Sequence, residues 1–541
     1  MASHSARLLM RTLVVLFLTV PGCLHPVLAS LPRLVVVLVF DQMRGDYLQR
    51  WSWLWEDGFR RLLTEGAVYT QCFYQHASTV TCSGHATIAT GTAPQWHGIS
   101  GNNLIPSCCR LLVRCTEDTA GQIFSGWLQV PTLGDYLRQH FPESRVVSIS
   151  HKAQAAILMG GHSPTTVLWL DPAQGGLVSR PEFLQPKWLP EWNRNNTPQR
   201  YAGMTWTPAL PASLAPPDSV PWEAPFPEGT RSFPHRIPST DEAFWDGFLL
   251  SPYSAEWLFN AAQEAVTQEG LGTDSIPDIL WLSISTTDFI GHHFGPDSRE
   301  IVELYYYCDR LLGNFLRFLD SAVGRSRYLL VLTSDHGVAP IPELLSQHGP
   351  GAYPGIDAGR IGTEELTSFL HHRLLRAFGP WSGMAWFTLS PPLLLLHQEQ
   401  ITAAGFSPNT VRDSLYRWLL QYEGLGVVLP SSSLWEDTAG DSSIADTLRL
   451  LLHRAFPPQR AGDLLLYPKP FWIFGTEVPA THGTFYDYDR FVPLVFFGAS
   501  IPASYSSETV SPEDIAPTLA ALLHIPVPTA TGRPLILMPS H

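Results

Sequence analysis

Charge is scarce in this sequence, and positive charge scarcest. Charged residues make up 15% of 541, with 34 Lys plus Arg against 48 Asp plus Glu, a formal net charge of −14. That balance argues against nucleic acid or an anionic membrane surface as the main partner, and an anionic substrate would need local positive charge, most simply metal. Beyond the N-terminus no uninterrupted apolar stretch approaches the roughly 18 residues of a membrane-spanning helix. Cysteine is sparse, 7 in all, and no pair has the CxxC spacing of a zinc ribbon. Tandem repeats and low-complexity tracts are absent, and no Gly-x-Ser-x-Gly elbow marks a Ser-His-Asp esterase. What remains is 45% apolar and 11% aromatic, with mean hydropathy +0.02, which excludes an acidic disordered chain and favours a packed globule. At roughly 150 residues per domain the length allows three or four domains.

The first 29 residues read as a targeting segment. Arg7 and Arg11 precede the short apolar run 13–20, and Val27-Leu28-Ala29 before Ser30 forms a small-residue cleavage site. Val20-Pro21-Gly22-Cys23 is the competing reading, a lipobox that would anchor the chain through Cys23. Either way the mature protein is expected to be exported, periplasmic or extracellular. Cys72, Cys82, Cys108, Cys109, Cys115 and Cys308 then remain. Six cysteines allow about 15 pairings, so a local disulfide among Cys108, Cys109 and Cys115 competes with buried thiols.

Leu34-Val-Val-Val-Leu-Val-Phe40 is a continuous β-branched run, the pattern of a strand buried on both faces of a parallel sheet. The form recurs at Arg145-Val-Val-Ser-Ile149, Ile279-Leu-Trp-Leu-Ser-Ile284, Tyr328-Leu-Leu-Val-Leu-Thr333 and Val492-Pro-Leu-Val-Phe-Phe497. Helical periodicities such as 300–319 lie between them. The expected fold is therefore α/β, a doubly wound, mostly parallel sheet flanked by helices. Residues 30–340 and 476–541 form its core. An irregular Pro- and Trp-rich excursion over about 180–240 should lie over the sheet. Residues 341–475, with helices over 363–378, 408–422 and 443–456, form an inserted cap subdomain.

Several strands deliver Asp, His or Lys at the carboxyl end, where such sheets bind ligands. Asp41 follows the first run. Asp288 and His292 are spaced i, i+4, so one helical turn points both the same way. Asp335 and His336 directly follow a strand, and His482 precedes the last one. Any single Asp after a strand is commonly a helix cap, but six candidates at strand ends form a ligand set suited to two zinc-like ions. His293 has no motif support. Thr79-Val-Thr81-Cys-Ser-Gly-His85 places hydroxyls at a turn opening a helix, where backbone N–H groups favour an anion. Thr81 is the candidate nucleophile, since metal coordination is the natural way to activate a threonine hydroxyl. Cys82 is the alternative, although a thiol beside zinc would be trapped or oxidised.

Phe40-Asp-Gln-Met-Arg44, Thr81-Cys-Ser-Gly-His85, His97-Gly-Ile-Ser-Gly-Asn102-Asn103, Thr287-Asp-Phe-Ile-Gly-His292, Ser334-Asp-His-Gly337 and Thr481-His-Gly-Thr484 stand in this order. The set, running from about residue 34 to 537, resembles the alkaline phosphatase superfamily. Within it the likeness is to the type I phosphodiesterase/nucleotide pyrophosphatase-like branch and its PafA-type alkaline phosphatases with a threonine nucleophile. The resemblance implies an exported phosphomonoesterase acting on small phosphate esters through a phosphothreonine. Two zinc ions are implied, one held by Asp288, His292 and His482, the other by Asp41, Asp335 and His336 with Thr81 beside it. It further implies Asn102 and Lys152 as phosphoryl-binding groups. Gln154 departs from the pattern, standing where the relatives carry arginine. A phosphodiesterase or nucleotide pyrophosphatase is the alternative. A sulfatase would need C/S-x-P/A-x-R where Cys82-Ser-Gly-His-Ala stands, and a non-catalytic binding protein on this fold would have lost a ligand or the nucleophile.

Overall fold

The computed structural model describes residues 31–106, 109–180, 183, 185–346, 356–381, 384–436 and 445–537. The expected leader 1–29, the lipid-anchor candidate Cys23, and Cys108 lie outside the described residues.

Nine strands form the main sheet: β1 (Leu34–Phe40), β2 (Ala67–Phe73), β3 (Val146–Ser150), β4 (Thr166–Asp171), β5 (Gly176–Val178), β6 (Asp278–Ile284), β7 (Tyr328–Thr333), β12 (Phe491–Gly498) and β13 (Ser504–Val510). Their spatial order is β13-β2-β12-β7-β1-β6-β3-β4-β5. The central five, β7-β1-β6-β3-β4, are parallel, whereas β12 and β5 run antiparallel to their neighbours. Strands buried on both faces need apolar side chains at every position, which is why these segments read as unbroken runs.

The two faces of β1 feed separate cores. Leu34, Val36, Leu38 and Phe40 pack with α3 (Pro252–Gln268) and α5 (Arg299–Leu319). Val35, Val37 and Val39 pack with α1 (Thr81–Thr90), α2 (Ala153–Gly160) and α6 (Ile515–Leu522). The remaining helix of interest, α4 (Thr286–Phe294), follows β6 directly.

The excursion meets both the sheet and a helix: Asn193 accepts from the Leu177 N–H of β5 at 3.1 Å and donates to Leu177 O at 2.8 Å, while Trp192 meets Trp257 with ring centroids 5.0 Å apart and the Trp257 indole donates to Asn196 O. In the 341–475 region, helices occupy Thr363–Phe378, Pro408–Leu419 and Asp446–Ala455. Sequence reading missed the antiparallel sheet there, ordered β8 (Phe387–Ser390), β9 (Leu393–Leu396), β11 (Leu464–Pro468), β10 (Leu425–Pro430). Short runs such as Leu393-Leu-Leu-Leu396 carry no period that separates strand from buried helix.

Register decides where the chemistry sits. Phe40 pairs with Ile284, Val39 with Thr333 and Ser283 with Ser150, so four neighbouring strands end side by side. The residues just beyond those ends, in spatial order, are Asp335, Asp41, Asp288 and Lys152.

Phe259 tests the helical layer beneath these ends. It is 1% exposed, with ring centroids 6.4 Å from Phe40 and 5.5 Å from Phe315. Phe259→Ala should lower the free energy of unfolding by about 3–5 kcal/mol, read as an earlier denaturant midpoint with unchanged m.

Candidate active site

Beyond β1 the chain turns through Gln42, whose φ of 68° is left-handed. The turn aims its backbone N–H at Asp335 Oδ1, 3.1 Å away, and its side-chain amide at Asp288 Oδ1, 2.7 Å away. Gln42 thus ties two strand ends together. Gly291 makes room for it, since a Cβ there would lie 1.9 Å from Gln42 Oε1. Gly84 in α1 does the same for the chain after β7, where a Cβ would lie 2.1 Å from Asp335 O.

One α4 turn brings His292 Nε2 to 3.2 Å from Asp288 Oδ1. Each of the three candidate imidazoles is oriented by a backbone carbonyl. Nδ1 of His292 donates to Ala480 O at 2.7 Å, that of His336 to Gly337 O at 2.9 Å, and that of His482 to Thr79 O at 2.8 Å. All three Nε2 atoms are thereby left as ligand atoms, the usual arrangement for metal-binding histidines. Asp41, Asp335 and His336 form one cluster of metal-ligand spacing, and Asp288, His336 and His482 another. His336 therefore stands between the two, and His292 adjoins the second through Asp288. His293 turns away and hydrogen-bonds Pro225 O.

The residues fit divalent ions. Asp41 Oδ1, Asp335 Oδ2 and His336 Nε2 are buried with no hydrogen-bond partner. Native proteins rarely leave such groups unpaired. Asp41, Asp288 and Asp335 are at most 3% exposed. The ammonium of Lys152 pairs with two of them, 2.6 Å from Asp288 Oδ2 and 2.8 Å from Asp41 Oδ2.

Burial raises the Asp41 carboxyl well above the usual range, and Asp335 adds to this against the opposing Lys152. Burial would also raise Asp288, but Lys152 and His292 outweigh it and hold that carboxyl well below its ordinary value. Asp335 is likewise lowered, burial being overcome by His336 and His85. For His482, burial and the neighbouring His336 and His292 push the imidazole well down, favouring the neutral form that binds metal.

Thr81 opens α1 at the floor of this cleft, 3% exposed, and its hydroxyl lies 3.4 Å from Lys152 Nζ. Asn102 reaches the same helix end, its Oδ1 accepting from the Cys82 N–H at 3.0 Å. Gln154 sits half-buried in the first turn of α2, and its side chain makes no hydrogen bond among the described residues. Contacts thus bring together Asp41, Thr81, Lys152, Asp288, His292, Asp335, His336 and His482, with Asn102 adjoining. No side-chain hydrogen bond or ion pair links Gln154 to them among the described residues.

The structure corrects the cysteine reading. Cys115 pairs with Cys82 across 33 residues rather than with its near neighbours. Cys82 is therefore no thiol nucleophile. The bridge lies next to Asn102, whose carbonyl accepts from Cys115 N at 2.9 Å, so it fastens the Asn102 loop to the helix that carries Thr81.

Sequence reasoning also missed Gln42 and His85. The His85 ring lies 2.8 Å from both Thr81 O and Ser283 Oγ and 3.3 Å from Asp335 Oδ2, bracing the candidate nucleophile against the sheet. Both residues fall inside the quoted motifs, and that position was the available signal.

Residues 35–350 match the family described as type I phosphodiesterase/nucleotide pyrophosphatase. The chain is 29% identical to alkaline phosphatase PafA of Elizabethkingia meningoseptica, over 93% of this chain and 94% of that one. It is 29% identical to alkaline phosphatase PhoV of Synechococcus elongatus, over 94% and 92%. A Myroides odoratus protein named calcium-transporting ATPase is 30% identical over 93% and 94%. The crystal structure of wild-type PafA superposes with a TM-score of 0.85, covering 93% of this chain and 98% of that one.

Closing a loop of this length by a disulfide is worth about 3–4 kcal/mol in the chain-entropy description. Cys115→Ala should therefore lower thermal stability by that order, and added reductant should lower the melting temperature of the parent protein but not of the variant.

Proposed function

This chain belongs to the type I phosphodiesterase/nucleotide pyrophosphatase family, and from that premise we propose an exported, zinc-dependent alkaline phosphatase that hydrolyses phosphate monoesters through Thr81. One observation carries the reading. The Thr81 hydroxyl stands 3.4 Å from an ammonium that itself touches a carboxylate of each ligand cluster.

Asp41, Asp335 and His336 would hold one zinc, and Asp288, His292 and His482 the other. Bound there, the ions lower the pKa of a hydroxyl and neutralise charge on the departing oxygen. Thr81 Oγ1 attacks phosphorus as the bond to the alcohol breaks, leaving phosphothreonine, which water then cleaves. The N-terminal end of α1 presents its dipole to the transferred group. The Asn102 amide donates to one phosphoryl oxygen, held in place by the Cys82 N–H. Lys152 supplies positive charge to another, its ammonium lying over the Phe289 ring, 5.4 Å from the centroid.

Export is supported by the leader-like first 29 residues and by a disulfide suited to an oxidising compartment. No helix among the described residues is long and apolar enough to cross a membrane.

The phosphodiesterase reading draws on Gln154. Where the resembled enzymes offer an arginine fork, this chain offers a neutral amide, which weakens recognition of a dianionic monoester more than that of a monoanionic diester. Lys152 remains, so the monoester preference should be compressed rather than inverted. Turnover of p-nitrophenyl phosphate against its bis ester separates the readings.

Metal analysis should give about two zinc per chain, with activity abolished by chelation and restored by zinc. Full turnover by the metal-free protein would defeat the proposal. Thr81→Ala should keep its metal and lose most turnover, because all six protein ligands remain. Gln154→Arg should raise kcat/KM for monoesters roughly tenfold, equivalent to about 1.4 kcal/mol, and for diesters by less. Equal gains would show that residue 154 does not face the phosphate.

A further inference from the structure

Beside the ligand clusters lies a cavity of about 650 Å³ that the chemistry above does not use. Two of its walls belong to the active site itself. His292 lines the cavity while its Nε2 lies 3.2 Å from Asp288 Oδ1. Phe289, one helical step from Asp288, lines the same cavity and lies against the Lys152 ammonium. The cavity therefore opens beside the ligand cluster of Asp288, His292 and His482, the one farther from the Thr81 side of the site by the assignment above, where the alcohol would depart. Its other walls are apolar: Leu249, Leu250 and Val478, with Pro225 contributed by the long excursion. Among the described lining residues Asp246 is the one carboxylate. The excursion is anchored at this wall, because the His293 imidazole hydrogen-bonds Pro225 O at 2.8 Å and the Ala224 N–H donates to His293 O at 3.0 Å.

We infer that this cavity is a leaving-group site for an aromatic alcohol that carries no negative charge, an inference that rests on the phosphomonoesterase reading. A ligand pocket is typically about 300–1,000 Å³, mostly apolar with a few polar groups, and this cavity falls within that range. Phe289 provides a flat ring on which an aryl group can stack. His292 stands at the pocket mouth beside Asp288, which puts the alcohol next to the ligand cluster, and Asp246 repels a second phosphate or a carboxylate on the alcohol. The excursion gains a role, since it supplies the wall opposite α4. Small or anionic alcohols, such as glycerol or a sugar phosphate, gain nothing from these walls.

Ethyl phosphate and 2-phenylethyl phosphate test this directly, because their leaving alcohols are chemically alike and differ in the ring. The zinc-loaded enzyme should turn over the phenylethyl ester with kcat/KM higher by roughly 10- to 100-fold, the size expected for burying a ring. Ala243→Trp, which fills the cavity, should reduce that ratio by at least about tenfold. As a second arm, 2-(4-carboxyphenyl)ethyl phosphate should be a poor substrate that Asp246→Asn improves, the uncharged ring ester changing little. Equal kcat/KM for the ethyl and phenylethyl esters would overturn the pocket and leave the phosphatase reading standing. A phenylethyl preference that survives Ala243→Trp, with no response to Asp246→Asn, would place the ring elsewhere and overturn it too. Hydrolysis of neither monoester alongside turnover of a diester would overturn the phosphatase reading and the pocket with it.

Discussion

Asp41, Asp288 and Asp335 stand at adjacent strand ends, each almost fully buried, with a single lysine ammonium ion-paired to two of them. Carboxylates in a low-dielectric setting repel one another and lose their hydration, and such a cluster persists only where fixed positive charge or dipoles offset both. Much of the surrounding structure answers this constraint. Gln42 donates to Asp335 and Asp288 from a left-handed turn, His85 lies against Asp335 as well, and three backbone carbonyls orient the imidazoles that face them. The unpaired oxygens of Asp41 and Asp335 mark what protein groups alone leave unmet.

Such a cluster needs a rigid frame, because ligand geometry tolerates little displacement. The frame is the parallel centre of the sheet, filled on both faces by separate cores. Packing at its strand ends is so close that a Cβ on Gly84 would meet the Asp335 backbone and one on Gly291 the Gln42 side chain. A disulfide adds a covalent tie between the Thr81 helix and the loop of Asn102. The ligand-type residues thus stand at strand ends, while the cavity beside them takes part of its wall from the less regular excursion. Rigid support for the reacting group and variable loops for the rest is a common division of labour in folds of this kind.

Much of this was legible beforehand. Strands buried on both faces, such as Leu34–Phe40, announce themselves through unbroken β-branched runs, and a terminal Asp marks the end that carries chemistry. The i, i+4 spacing of Asp288 and His292 holds a helical turn in the sequence itself. By contrast the sheet of Phe387–Pro468 was invisible, because strands of four to six residues lack a diagnostic period. The roles of Gln42 and His85 were hidden for another reason: a residue that positions a ligand looks like any polar residue until its partner is known.

By itself, then, the sequence determined the strands and helices of the core, their alternation, and which residues carry ligand-type chemistry at their ends, since those properties depend on neighbours a few positions away. Only the tertiary structure decided that Asp335, Asp41, Asp288 and Lys152 lie side by side, because adjacency in a sheet follows strand order rather than chain order. It also placed His336 between the two clusters, joined Cys82 to Cys115, and opened a cavity against His292. These are contacts across tens to hundreds of residues. Their geometry is set by how whole layers pack, and no local pattern encodes it.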